Sequence, residues 1–122
     1  MTGYIVFAHG SSVESANDAV RSVAAEMSLK GDFDAVVAAF LEGGKPDLAT
    51  AIDGLAERMA RIVVVPYFLT LGLHLQRDLP RLIEACRRDH PGIEIEVTPP
   101  LDGHPGMVDA LVDRARAALG GC

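Results

Sequence analysis

The chain has 122 residues, of which 49% are hydrophobic, and its formal net charge at pH 7 is −6. This length suits one domain with one core, which we predict to span residues 1–122, and the negative charge argues against a nucleic-acid-binding surface. The longest apolar run, Ile62 to Leu69, is too short to cross a membrane, and residues 4–8 are too short for a signal peptide. We therefore expect a cytoplasmic protein that binds neither nucleic acid nor membrane.

The first predicted unit is a strand at Tyr4 to Ala8 followed by a helix from about Val13 to Leu29. The strand is apolar without alternation, which is typical of a strand covered on both faces, and Ser12 is available as the helix N-cap. Three similar units follow, and their predicted strands and helices are Phe33–Leu41, Asp47–Ala60, Arg61–Pro66, His74–Asp89, Ile93–Thr98 and a last helix that follows the loop Leu101–Gly106 and ends at about Leu119. In the last helix an apolar stripe is expected to be buried: Val108, Leu111, Val112 and Ala115.

The regular alternation of strands and helices predicts an α/β fold with a four-stranded parallel sheet and right-handed crossovers. Ile93, Ile95 and Val97 alternate with polar residues, a pattern that indicates a half-exposed strand at the edge of the sheet. The first and third strands are more uniformly apolar and belong inside the sheet. We therefore predict the strand order 2-1-3-4.

A polar residue follows each predicted strand: His9, Glu42, His74 and His104, at spacings of 33, 32 and 30 residues. The carboxyl ends of parallel strands meet at one edge, where open α/β sheets bind ligands beside the point at which strand order reverses. In the predicted order that point lies between the first and third strands. His9 and His74 are the two residues that flank it.

Two imidazoles and a carboxylate form a donor set that suits a divalent first-row metal such as cobalt, nickel, iron or zinc. A permanent zinc site usually shows four ligands, and the two cysteines, Cys86 and Cys122, lack the spacing of a zinc knuckle or a disulfide framework. The donor set therefore indicates an exchangeable or catalytic metal. His90, at a predicted helix end, is interpreted as a structural residue that complements the helix dipole.

Other chemistry is also compatible with the first loop, His9-Gly10-Ser11-Ser12. Backbone N–H groups before a helix suit an anion, although the nucleotide-binding motifs are missing. A serine hydrolase would use Ser11 or Ser12 as nucleophile and His74 as base. Because the chain has no G-x-S-x-G elbow, helix capping is the simpler account of the two hydroxyls.

The loop around His74 is more apolar than most loops. Four leucines surround the histidine: Leu69, Leu71, Leu73 and Leu75. They either pack on the core or form one wall of a cleft for a flat apolar ligand. Arg77 and Arg81, in the helix that follows, either meet carboxylates of that ligand or form a solvated helix face.

Four segments of the sequence carry a family resemblance. They are His9-Gly10-Ser11, Ala39-Phe40-Leu41-Glu42, Val65-Pro66-Tyr67-Phe68-Leu69 with Gly72-x-His74-x-x-x-Asp78-x-Pro80, and Pro100-Leu101-x-Gly103-His104-Pro105. With these segments the chain resembles the half-size class II tetrapyrrole chelatases, the sirohydrochlorin cobaltochelatase and ferrochelatase family, over nearly its whole length. The resemblance implies insertion of Co²⁺, Fe²⁺ or Ni²⁺ into sirohydrochlorin or a related tetrapyrrole. It also implies a homodimer, because larger members of the class hold two such halves in one chain.

The same resemblance implies that His9 and His74 bind the metal and accept pyrrole protons, with Glu42 as an accessory acid or base. Candidate substrate contacts are Ser11, Ser12, Leu73, Arg77 and His104. No nucleotide or redox cofactor is implied beyond the divalent metal, which is itself a substrate. The alternative is a carrier that binds metal or tetrapyrrole without turnover.

Overall fold

The computed structural model describes residues 1–120, which form one parallel sheet and four helices. In chain order the elements are β1 (Thr2–Ala8), α1 (Glu14–Gly31), β2 (Ala35–Phe40), α2 (Leu48–Ala56), β3 (Arg61–Pro66), α3 (Leu73–Asp89), β4 (Glu94–Val97) and α4 (Pro105–Gly120). The strand order is β2-β1-β3-β4 and every pairing is parallel, so the predicted α/β fold and strand order are confirmed. Cys122 lies outside the described residues, and none of the helices within residues 1–120 is long and apolar enough to cross a membrane.

β1 lies in the middle of the sheet because its side chains are apolar on both faces. Ile5 and Phe7 are fully buried in the larger core cluster, which the inner faces of α2 and α3 complete. Val6 and Ala8 point to the opposite face and pack in a smaller cluster with residues of α1 and β2. This burial on both faces is what an unbroken apolar strand predicts.

β4 is an edge strand, as its alternating pattern predicts. Ile95 is buried in the core cluster shared with α3, whereas Glu94 and Glu96 are exposed and both pair with Arg61 of β3. Exposed ion pairs of this kind contribute little to stability. Among the described elements, α1 lies against β1 and β2 only. On the face of the sheet that α1 packs against, no described helix therefore covers β3 and β4.

The predicted capping of α1 by Ser12 is wrong. The N-cap residue is Val13, it makes no side-chain cap hydrogen bond, and the helix begins at Glu14. The physical reason is a local turn, in which the hydroxyl of Ser11 accepts a hydrogen bond from the Val13 N–H at 3.0 Å and delays the start of the helix.

The predicted burial of the apolar stripe on α4 is also wrong. No residue described in α4 is buried, and Val108 and Leu111 are 62% and 67% exposed. No Cα atom of this helix lies within 8 Å of another described helix or strand. An apolar stripe shows which face of a helix tends to be buried, but it does not show which element buries that face. Within residues 1–120, no helix or strand covers the stripe on α4.

Candidate active site

The ends of β1 and β2 bring His9 and Glu42 together. Backbone pairing continues past the strands, because the Leu41 N–H donates to the Ala8 carbonyl (2.9 Å) and the Glu42 N–H donates to the His9 carbonyl (3.0 Å). Glu42 Oε1 lies 3.7 Å from His9 Nε2, which is longer than a hydrogen bond, and the two side chains are 71% and 61% exposed. Both side chains are therefore open to solvent.

His74 reaches the same edge from β3. The Tyr67 N–H donates to the Phe7 carbonyl at 2.7 Å, which holds the loop after β3 beside β1. α3 begins at Leu73, so His74 is its second residue. His74 Nδ1 lies 3.3 Å from Nη2 of Arg77. Because a guanidinium only donates, Nδ1 is the acceptor in this contact.

His9 and His74 line one cavity. Its volume is about 280 Å³, just below the range of about 300–1,000 Å³ that is usual for ligand pockets. The other lining residues are Leu41, Phe68, Gly72, Leu73, Leu75 and Asp78. The cavity is lined by residues that follow β1, β2 and β3, at the edge where the strand order reverses, so both histidines lie at the edge that the sequence predicts.

A larger groove of about 850 Å³ lies between α3 and β4. Its lining includes Leu79, Ile83 and Ile95 and contains neither histidine nor cysteine. Size alone would favour this groove as a ligand site. The smaller cavity is the better candidate for metal chemistry because it combines imidazole and carboxylate groups with an apolar wall.

Two residues at this edge are absent from the predicted site residues, although Asp78 stands in a segment that carries the family resemblance. Asp78 lines the cavity one turn after His74, and the four-residue spacing that places both on one face of α3 is a readable signal. Asn17 of α1 is 1% exposed and bonds to the backbone of Ser11 and Gly43, beneath the first two loops. In the sequence, Asn17 can be recognised only as a polar residue at a helix position that is expected to face inward.

The other predicted contacts are divided between the cavity and its surroundings. Leu73 belongs to the lining, and Arg77 lies beside His74. Ser11, Ser12 and His104 are not among the lining residues, and the Nδ1 atom of His104 instead accepts the N–H of Gly106 at 2.9 Å. Because the Ser11 hydroxyl serves the local turn and lies outside this cavity, the geometry gives no support to a serine hydrolase.

Within residues 1–120, no three histidine, cysteine, aspartate or glutamate side chains are close enough together to hold a metal ion. Two imidazoles without a third fixed donor leave most coordination positions of a first-row metal to water or to a substrate. This arrangement suits a metal in transit better than a permanently bound one. His90 lies elsewhere, with Nε2 2.7 Å from Asp53 Oδ1, where it links the end of α3 to α2.

Comparison with known proteins agrees with the fold and with the resemblance. The sequence model of the CbiX family matches residues 3–118. The chain is 34% identical to the sirohydrochlorin cobaltochelatase of Saccharolobus solfataricus over 93% of each chain, and 29% identical to the chloroplastic sirohydrochlorin ferrochelatase of Arabidopsis thaliana over 96% of this chain and 52% of that one. The crystal structure of a cobalamin (vitamin B12) biosynthesis CbiX protein from Marinobacter aquaeolei VT8 superposes with a TM-score of 0.85 at 28% identity, covering 100% of both chains. The chain therefore belongs to the CbiX family.

Proposed function

We propose that this protein is a metal chelatase that inserts Co²⁺, Fe²⁺ or Ni²⁺ into sirohydrochlorin or a closely related tetrapyrrole. The observation that carries the proposal is the cavity that His9 and His74 line together. The names of the relatives support the substrate class, because they are sirohydrochlorin cobaltochelatases and a sirohydrochlorin ferrochelatase. Imidazole and carboxylate ligands accommodate all three metals.

In this proposal the two histidines receive the metal and the protons that it displaces. Insertion replaces two pyrrole N–H bonds with bonds from the ring nitrogens to the metal, so one divalent cation enters and two protons leave. Imidazole changes its charge near neutral pH, and its lone pair serves either a metal or a proton. His9 and His74 therefore hand over the metal and accept the protons.

Glu42 returns the site to its starting state. Its carboxylate is 3.7 Å from His9 Nε2 and largely exposed, so a small side-chain rotation lets it take a proton from His9 and release it to water. His9 is then neutral again and ready for the next metal ion. Because the oxidation state of the metal does not change during insertion, the reaction needs no redox cofactor.

The loop after β3 supplies a surface for the macrocycle. Phe68 and Leu73 line the cavity, and Leu73 is 80% exposed at the start of α3. The face of a conjugated ring is apolar and its rim carries carboxylates. The apolar wall therefore suits the ring face, and the guanidinium of Arg77, beside His74, suits a carboxylate at the rim.

The test is repeated metallation of the ring. Metal-free sirohydrochlorin and Co²⁺ are mixed with the protein and followed by visible absorption. We expect many equivalents of product per protein, whereas a carrier would yield at most one. His9→Ala and His74→Ala should each reduce the initial rate at least about 100-fold, the usual contribution of a positioned acid or base.

His90→Ala is the matched control, because His90 lies away from the cavity and pairs with Asp53. It should insert metal at the rate of the unmodified protein. Full activity in both His9→Ala and His74→Ala would refute the assignment of the two histidines.

We propose further that the working unit is a homodimer in which a second copy covers α4. Within residues 1–120, no sheet covers the apolar face of α4, and no helix covers the face of the sheet that holds half-buried Val63 and Val65 of β3. Parallel sheets are normally covered on both faces, so one copy offers both of the surfaces that the other lacks. The chain also spans only 52% of the longer Arabidopsis relative.

The oligomeric state can be measured by size-exclusion chromatography with light scattering. The unmodified protein should have twice the mass of the chain, and Leu111→Asp should be monomeric because it places a charge in the covered stripe. Leu29→Asp changes a leucine on α1 that is more exposed than Leu111, 84% against 67%, and should stay dimeric. A monomeric unmodified protein at micromolar concentration would refute this part of the proposal.

A further inference from the structure

Asn17 is the one buried polar side chain within residues 1–120, and all of its hydrogen-bonding groups are used. Its Oδ1 accepts the Ser11 N–H at 2.9 Å, and its Nδ2 donates to the Ser11 carbonyl at 2.8 Å and to the Gly43 carbonyl at 3.1 Å. Glu14 Oε2 lies 3.2 Å from the same nitrogen. Ser11 follows His9 by two residues and Gly43 follows Glu42 directly, so one amide joins the two loops.

The two loops also touch through their backbones. Gly10 has φ +91°, and a Cβ atom there would overlap the carbonyl oxygen of Glu42. Gly43 has φ +71°, and a Cβ atom there would lie 2.9 Å from the carbonyl carbon of Ser11. Only glycine permits this backbone geometry and this close approach together. The buried side chain of Asn17 hydrogen-bonds to both loops at the same place.

The exposed side chains of His9 and Glu42 have little else to hold them. Nδ1 of His9 is 3.3 Å from the Gly10 carbonyl, and within residues 1–120 no hydrogen bond fixes the Glu42 carboxylate. Their separation is therefore set by the loop backbones rather than by side-chain packing. A group that holds the two loops together therefore also sets the distance between His9 and Glu42.

We propose that Asn17 is a positioning residue for metal insertion, which clamps the loops after β1 and β2 and so sets the distance between His9 and Glu42. This inference rests on the proposed function. An amide is the group that suits the task because it offers one acceptor to the Ser11 N–H and two donors to carbonyl oxygens. A carboxylate at this position would lose both donors and would face the Ser11 and Gly43 carbonyls and the Glu14 carboxylate.

Asn17→Asp tests the inference with two measurements. The Glu42 amide proton, which donates to the His9 carbonyl, should exchange with solvent about tenfold faster, as expected when a neighbouring hydrogen bond is lost and the loop opens locally. The affinity of the protein for Co²⁺ alone and the kcat of insertion should each fall about 10–100-fold, as for other residues that orient metal ligands. KM for sirohydrochlorin should not change, because the apolar wall belongs to the loop after β3.

Ala24→Gly is the matched control, since Ala24 is buried on the same face of α1 two turns further along. It should lower the melting temperature while leaving Glu42 exchange, Co²⁺ affinity and kcat as in the unmodified protein. If Asn17→Asp does not fold, Gly43→Ala disturbs the junction from the opposite side and should produce the same changes.

The inference is overturned if Asn17→Asp keeps the kcat and the Glu42 exchange rate of the unmodified protein, or if Ala24→Gly loses as much of both. Failure of the proposed function looks different, because the unmodified protein itself would then not metallate the ring. Even in that case amide exchange still decides whether Asn17 holds the two loops together.

Discussion

The candidate site has two halves that are held in different ways. The polar half, residues 9–11 and 42–44, places His9 and Glu42 on interlocked backbones above the buried amide of Asn17. The apolar half, residues 67–73, exposes the side chains of Leu69 and Leu73, and two backbone bonds join it to the adjoining loop, residues 101–104, which does not line the cavity. Proton and metal transfer require fixed distances, whereas a wall for a flat ring requires area. Under the proposed function, the polar half would hold reacting groups at fixed distances and the apolar half would provide contact area for the ring.

Gly10→Ala should cause the largest loss of stability, because Gly10 lies where the two loops of the polar half touch. The new Cβ atom would overlap the Glu42 carbonyl in a backbone conformation that suits only glycine, so the loops of the polar half cannot stay paired. We expect a loss of at least about 4 kcal/mol in the free energy of unfolding, the level reached when a core feature is disrupted. Urea denaturation followed by circular dichroism measures it.

Gly103→Ala separates backbone strain from steric overlap. Gly103, in the loop that adjoins the apolar half, has φ +81°, but nothing lies within 4 Å of the position that its Cβ atom would take. It should lose only about 1–2 kcal/mol, the cost of left-handed backbone for an L-residue. Equal losses in Gly10→Ala and Gly103→Ala would contradict the claim that the polar half is the more tightly built.

Leu73→Asn should affect substrate binding rather than stability. Leu73 is largely exposed, so the free energy of unfolding should stay within about 0.5 kcal/mol. Removal of its apolar contact with the ring should raise KM for sirohydrochlorin about tenfold, since burying a leucine side chain contributes roughly 1.5–3 kcal/mol. Steady-state kinetics that show a lower kcat with an unchanged KM would place Leu73 outside the binding wall.

Leu29→Asn is the control for that measurement. Leu29 is as exposed as Leu73 but lies near the end of α1, away from the cavity. Neither KM nor kcat should change in this variant.

The smallest expected effect concerns pH and the cap of α2, which follows the polar half. Asp47 accepts the Thr50 N–H at 2.8 Å, and this bonding to Thr50 lowers the pKa of the Asp47 carboxyl below its ordinary value. A lowered pKa in the folded state means that the stabilisation is complete above the ordinary pKa and is lost as pH falls through the lowered one. Asp47→Ala should therefore cost about 1 kcal/mol at pH 7 and less in acid.

Asp47→Asn keeps an N-cap but cannot titrate. Its stability difference from the unmodified protein should shrink as pH falls below the ordinary range of an aspartate. Denaturation curves at neutral and acidic pH give this difference, and a constant value would show that the cap bond does not depend on the charge.

Sequence reasoning works best where one pattern has one structural solution. Apolar residues on both faces of β1 require a central strand, and the alternation around Ile95 requires an edge, so the strand order follows. It fails where the outcome depends on a partner. Ser12 is a good cap by type, but the hydroxyl of Ser11 is already bonded to the Val13 N–H, which moves the start of α1.

The sequence by itself determined the fold class, the strand order and the placement of His9 and His74 at one edge, because strand periodicity and parallel topology leave few alternatives. Only the tertiary structure decided that Asn17 joins two loops and that α4 lies away from its own sheet. The physical reason is that hydrogen bonding and helix packing depend on groups distant in the chain. Local sequence specifies what each group needs, and the assembled fold decides which group supplies it.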